Sequence, residues 1–305
     1  MEGSRVTRTR TRGAVLLTLA IGIVGLTGSA QAGRPTPGPK DITSTVRGQE
    51  LARIAAARFE ARSEPTDATD LRVVQVGDGD HVVYPSWLPV PVASTIATAD
   101  GGHDFVTTLD IRSGPKPASP DWPKVASARG TVAAGPYAIL WSHGCFARLE
   151  NSNGWFDTCF KVWKAGNDGN GAYDYFTLDS YGTVSNKDKL LCCLLYNAWL
   201  EAAKSGTASQ NWFDWSPRGD RTGDCASFTL SVELKIVAVS DTVTMCEKWQ
   251  PTKYAEAGHF KMKWDCRCVI GFGVDGAREV AFLQTVYVAQ GRVPTWTLSA
   301  GFHAV

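Results

Sequence analysis

The chain has 305 residues, 31 basic and 30 acidic, with a formal net charge of +1 and 44% hydrophobic residues. Near-neutral charge excludes an electrostatic footprint for nucleic acid or an anionic membrane. The length suits one large β-domain or two smaller units.

The first 32 residues read as a secretory signal peptide. Four arginines precede the apolar run Ala14 to Gly28, and Ala30 and Ala32 supply a small-residue cleavage motif. The run is shorter than the about 20 residues that a spanning helix needs. No adjacent pair of arginines precedes it, and no cysteine near the cleavage site offers a lipid anchor. The expectation is a protein starting near Gly33, secreted or associated with the cell envelope, with no membrane span after signal cleavage.

Residues 33–130 read as a variable N-terminal region. GRPTPGPK, 33–40, is Pro/Gly-rich and extended. Leu51, Ile54, Ala55 and Phe59 fall at helical spacing and predict a helix over 48–63. Short strand-like runs follow: LRVVQV, HVVYP and FVTTLDI. Residues 112–130 carry four prolines and predict a linker or long surface loop.

From residue 131 the composition changes. Nine of the eleven tryptophans and all eight cysteines lie beyond it. WFDTCFKVWK and YDYFTLDSYGTV flank the turn sequence AGNDGNG and predict a hairpin. SFTLSVELKIVAV places Phe228, Leu230, Val232, Leu234 and Ile236 on one face of a strand. Similar runs continue to the C-terminus. The prediction is a mainly β protein: an antiparallel β-sandwich-like, disulfide-stapled domain over 131–305, with a short N-terminal helix and a Pro-rich linker. Residues 189–204 fit both a helix with Asn197, Glu201 and Lys204 as its polar stripe and a strand with apolar even positions. The reading leans to helix.

In an exported chain the eight cysteines read as disulfides: Cys145, Cys159, Cys192, Cys193, Cys225, Cys246, Cys266 and Cys268. Their C-C and C-R-C spacings suit zinc poorly, so no metal is expected. The turn signal Asn153-Gly154 places Cys145 nearly opposite Cys159 and predicts that bond. Adjacent Cys192 and Cys193 would bond different partners, drawn from Cys225, Cys246, Cys266 and Cys268. Cys266 and Cys268 share one strand face and are poor partners for each other.

Catalytic signatures are missing their contexts. There is no G-x-S-x-G and no H-E-x-x-H, and the lone S-x-x-K, Ser113 to Lys116, sits in the proline-rich stretch. His143 and Cys145 would share a strand face, but the expected disulfide consumes the thiol. The carboxylates Asp157, Asp174, Asp179, Asp214, Asp220 and Asp224 allow a two-acid glycosidase only if two of them converge beside a sugar cleft. WFDWSPRGDRTGD reads as a loop whose aspartates bond nearby amides, and AGNDGNGAYD as turn chemistry rather than a calcium loop. Trp212 and Trp215 beside Pro217 are the candidate binding residues, since exposed indoles stack on sugar rings.

GNGAYDYFTLDSYGT, WFDWSPRGD and CEKW resemble stretches of secreted, uncharacterised actinobacterial proteins with Trp-rich, disulfide-containing β-domains. The resemblance covers about residues 140–305 and implies an exported β-protein without implying an activity. The expected function is a non-catalytic binding or structural β-domain at the envelope or outside the cell, with a glycan or envelope component as partner and no cofactor. The alternative is a secreted glycan-acting hydrolase using paired carboxylates. A membrane-acting toxin calls for an amphipathic hairpin rich in small polar residues, and no such hairpin stands out in the sequence.

Overall fold

The computed structural model describes residues 39–61, 66–76, 79–88, 92–98, 102–112, 124–126, 137–187, 195–207, 209–235, 237–266 and 277–304. Residues 1–32, expected to be a leader, most of the Pro-rich stretch and Cys192, Cys193 and Cys268 lie outside them.

In chain order the elements are β1 (Lys40–Asp41), α1 (Val46–Glu60), β2 (Leu71–Val76), β3 (Asp80–Pro85), β4 (Val92–Ala97), β5 (His103–Arg112), β6 (Lys124–Ala126), β7 (Tyr137–Glu150), β8 (Gly154–Gly166) and β9 (Tyr173–Asn186). Then come β10 (Leu195–Lys204), β11 (Asn211–Ser216), β12 (Arg221–Leu234), β13 (Val237–Lys253), β14 (Phe260–Asp265), β15 (Arg278–Ala289) and β16 (Thr295–Ala304). The strands form two antiparallel sheets. One has nine strands in the order β1-β2-β3-β7-β8-β9-β15-β11, with β6 also paired to β7; the other runs β12-β13-β14-β10-β16-β5-β4. This is the expected sandwich-like, mainly β fold. Strands from before the Pro-rich stretch enter both sheets: β3 pairs β7, and β5 pairs β16.

Helix α1 starts two residues earlier than expected because Thr45 caps it, its side chain accepting from the Gly48 amide at 3.0 Å. Leu51, Ala55 and Phe59 are fully buried, whereas Ile54 is exposed and leaves the predicted stripe. Gly48 lets the helix approach the chain before it: a Cβ there would lie 2.0 Å from the Ile42 carbonyl oxygen.

Two local expectations change. The segment leaning to helix is β10 in its described part, held on both sides by β14 and β16. Ala198, Leu200 and Ala202 face the core, so two-sided pairing overrides the helical stripe. SFTLSVELKIVAV is not one strand either. Lys235 adopts φ 66° and turns the chain, so β12 and β13 form a long hairpin.

Register decides the layering. On β15, Phe282 faces one side and packs against Phe260 of β14 at 5.0 Å between ring centroids. Glu279, Leu283 and Tyr287 face the other, together with Asp179 and Tyr175, their cross-strand partners or neighbours. The distal part of the β12–β13 hairpin lies over this second face. The Thr244 amide donates to Glu279 Oε2, and Lys235 Nζ sits 5.5 Å from the Tyr175 ring centroid. The proximal part of β13 pairs with β14, which lies against the first face. The ribbon therefore bends around the end of β15. At the bend lie a bulge between Gly223 and Ala226, Glu247 at φ 54°, and the Cys225–Cys246 disulfide. Glu247 accepts from Trp264 Nε1 at 2.9 Å and from Arg278 Nε at 2.8 Å, which pins the corner.

Candidate functional site

The Cys145–Cys159 disulfide is present, its residues directly paired across β7 and β8. The turn forms because Asn151 Oδ1 accepts from the amides of Asn153 and Gly154, at 2.9 and 3.0 Å. The bond removes the thiol that a cysteine protease would need beside His143. Cys225 and Cys246 bond each other, which corrects their assignment as partners of the vicinal cysteines. Register explains it: the bulge brings the two side chains together across β12 and β13. Cys266 is also disulfide-bonded.

Trp212 and Trp215 lie on strand β11 rather than in a loop. A bulge between Trp212 and Asp214 turns both indoles to one side, 5.9 Å apart, while Asp214 pairs with Thr285 on the opposite face. Both rings are half-buried against the core. Lys253 Nζ lies 4.9 Å from one ring centroid and 4.6 Å from the other, and the Arg218 guanidinium lies 4.8 Å from the Trp215 ring. These cation–π contacts occupy ring faces that a sugar would need. Arg218 pairs with Asp214.

The carboxylates take separate partners. Asp157 pairs with Arg148 at 2.7 Å, and Arg148 also reaches Glu150 at 3.0 Å. Burial pushes the Glu150 carboxyl up, but Arg148 and Lys187 outweigh it and hold Glu150 below its ordinary range. Asp174 pairs with Lys164 at 3.1 Å and accepts from the Gly291 amide. Asp220 and Asp224 are exposed. In the AGNDGNG turn, Asp168 Oδ1 accepts from the Asn170 amide at 3.0 Å, which is turn chemistry as expected.

Asp179 stands apart. It is 3% exposed and lies beneath the hairpin, with Oδ1 making no hydrogen bond. Burial pushes its pKa up to about 8, Asp241 of β13 adds to the rise, and Lys161 opposes it. A cavity of about 210 Å³ nearby is lined by Lys161, Tyr181, Asp241, Thr242 and Glu279 among others. It lies where the hairpin meets β8, β9 and β15.

The hairpin itself is the feature that the sequence reading missed. Its distal arms pair from Ala226↔Met245 to Leu234↔Val237, nine residues each. Leu230, Val232, Leu234, Val237, Val239 and Val243 are buried against the sheet. Ser227, Thr229, Ser231, Glu233, Ala238, Ser240, Thr242 and Thr244 face outward and are exposed. Only one of these eight, Glu233, is charged, in a chain that is 20% charged. The signal was the alternation already noted at 228–236. It went unread because Lys235 carries the turn without glycine, asparagine or proline.

Among the described residues no helix is long and apolar enough to cross a membrane, which leaves spanning by strands open. No group of three or more His, Cys, Asp or Glu among them suits a metal ion.

No family profile matches the sequence, and no curated protein does. A solved structure described as a pore forming protein is similar over 67% of this chain and 80% of its own, with 8% sequence identity and a TM-score of 0.27. A likeness that low carries no argument about this chain.

Proposed function

We propose that this is an exported, non-catalytic β-protein that acts on lipid bilayers, with the distal β12–β13 hairpin as the inserting element. The observation that carries the reading is the hairpin's two-sided pattern. One face is apolar apart from Asp241 and the other is small and hydroxyl-rich, over arms of nine residues. A membrane-spanning β-strand needs about 9–11 residues, with apolar side chains outward and polar ones toward a lumen. An ordinary solvated strand face would carry several lysines or glutamates; this one carries Glu233 alone.

A single hairpin leaves two unpaired edges, which hydrocarbon does not tolerate. Several copies must therefore pair to close a barrel. In the described conformation the hairpin lies on the body and its apolar face is covered. The expectation of no membrane span then applies to this conformation and not to a bilayer-bound one. The two defined disulfides suit an oxidising compartment, and the leader at 1–32 supports export.

The test is dye release from phosphatidylcholine/phosphatidylglycerol vesicles by the purified protein, with detection of detergent-resistant oligomers. Val239→Asp puts a charge on the lipid-facing side and should abolish release. Ser240→Asp, on the lumen side, should retain it. Release by neither wild type nor Ser240→Asp sinks the reading, as does full release by Val239→Asp.

One observation favours the hydrolase alternative. Asp179 has the raised pKa of a general acid and senses a second carboxylate, Asp241. The hairpin covers it, however, so a sugar reaches it only after the hairpin leaves. Polysaccharide hydrolysis that is lost in Asp179→Asn would establish this reading. Glycan binding at Trp212 and Trp215 stays a separate proposal, and it requires Lys253 and Arg218 to move off the rings. Retention on glycans or cell wall that is lost in Trp212→Ala/Trp215→Ala would support it.

A further inference from the structure

The geometry points to a charge-gated latch: the distal β12–β13 hairpin stays docked on the nine-stranded sheet while Asp179 is neutral, and ionised Asp179 repels Asp241 and releases it. The inference rests on the bilayer reading for its purpose but not for its physics.

Asp179 sits on β9 between Lys161 of β8 and Leu283 of β15, on the face that the hairpin covers. It is buried, and one carboxyl oxygen has no hydrogen-bond partner. A buried carboxylate without full pairing is expensive, so the docked state favours the protonated acid. Opposite it, Asp241 is the one charged residue among the inward positions of the distal hairpin; its neighbours in that row are Val237, Val239, Val243 and Met245. An acid in an aliphatic row adds nothing to apolar packing and places a like charge against Asp179.

Other charged and titratable groups face this region. Lys161 is the favourable partner, but its Nζ also lies 4.9 Å from the Tyr181 ring centroid, so its charge is shared with that ring. Glu279 of β15 takes the Thr244 amide. His143 of β7 stands across from Lys161 by register. Among these groups Glu279 is the further acid, and Lys161 is the cation that acts on Asp179 directly. Ionising Asp179 therefore adds negative charge against Asp241.

The direction follows from proton linkage. Docking holds the proton that an exposed aspartate gives up, so docking is favoured at low pH and release at high pH. Where the docked acid is protonated and the released one ionised, the release equilibrium rises about tenfold per pH unit. The rise ends near pH 8, where the docked acid also ionises.

Hydrogen–deuterium exchange of the whole protein without lipid is the test. Exchange at β12–β13 amides is corrected for intrinsic rates at each pH and compared with β15 amides. Wild type should lose hairpin protection by about a hundredfold from pH 6 to pH 8. Asp179→Asn, which mimics the neutral acid, should stay protected throughout. Asp241→Asn should stay protected to higher pH than wild type. Flat wild-type protection overturns the latch, and so does a pH response retained in Asp179→Asn. Vesicle release is scored separately. A pH-gated hairpin with no release by any variant would refute the bilayer reading and leave the latch standing.

Discussion

The Glu233 amide donates to Asp214 Oδ2 at 2.8 Å, which ties the tip region of the hairpin to edge strand β11. Asp214 Oδ1 accepts from the Trp215 amide, and Arg218 pairs with the same oxygen. One carboxylate thus joins the hairpin, the indole strand and Arg218. Asp214→Ala should weaken tip docking by roughly 1–3 kcal/mol, the usual cost of orphaning a partly buried hydrogen-bond partner. Faster amide exchange at 231–239, with β15 unchanged, is the expected readout.

Arg148 is buried between two acids, Asp157 and Glu150, and lies 4.7 Å from the Trp155 ring centroid. Arg148→Met should destabilise the protein by about 3–5 kcal/mol, because it strands buried negative charge. Adding Asp157→Asn should recover part of the loss. Urea unfolding midpoints at constant slope measure both.

Glu150 and Asp179 give opposite pH responses. The Glu150 pKa is lowered on folding, so its contribution is present above its ordinary value of 4.5 and is lost as pH falls through the lower folded value. The Asp179 pKa is raised, so its contribution is full below its ordinary 3.8 and is lost as pH rises through about 8. Glu150→Gln should flatten the acid limb of stability against pH. Asp179→Asn should flatten the fall in stability between pH 3.8 and about 8. Each variant should leave the other limb in place.

The Cys145–Cys159 bond closes a short loop, with a sequence separation of 14. Replacing both cysteines with alanine should cost about 2–4 kcal/mol, as a loop of this size predicts. Thermal unfolding compared with wild type checks it. Because Cys145 and Cys159 are each only 1% exposed, mild reductant should leave this bond intact in the folded protein.

Local pattern was enough for several features. The sequence alone determined the mainly β class, the Cys145–Cys159 pair and the AGNDGNG turn. Alternation fixes which side chains share a face, and Asn-Gly chemistry fixes where a hairpin closes. It also marked 228–236 as two-faced. The tertiary structure alone decided what those faces meet. Asp104 and His303 bond at 2.8 Å across β5 and β16, 199 residues apart, and no local signal encodes such a pairing. The same holds for β10, where flanking strands overrode a helical stripe. It holds for Asp179 and Asp241 as well. Each reads as an ordinary strand aspartate, and only the ribbon's bend around β15 brings the two acids together. Side-chain period is a property of the chain, whereas burial and electrostatic field belong to whatever packs opposite.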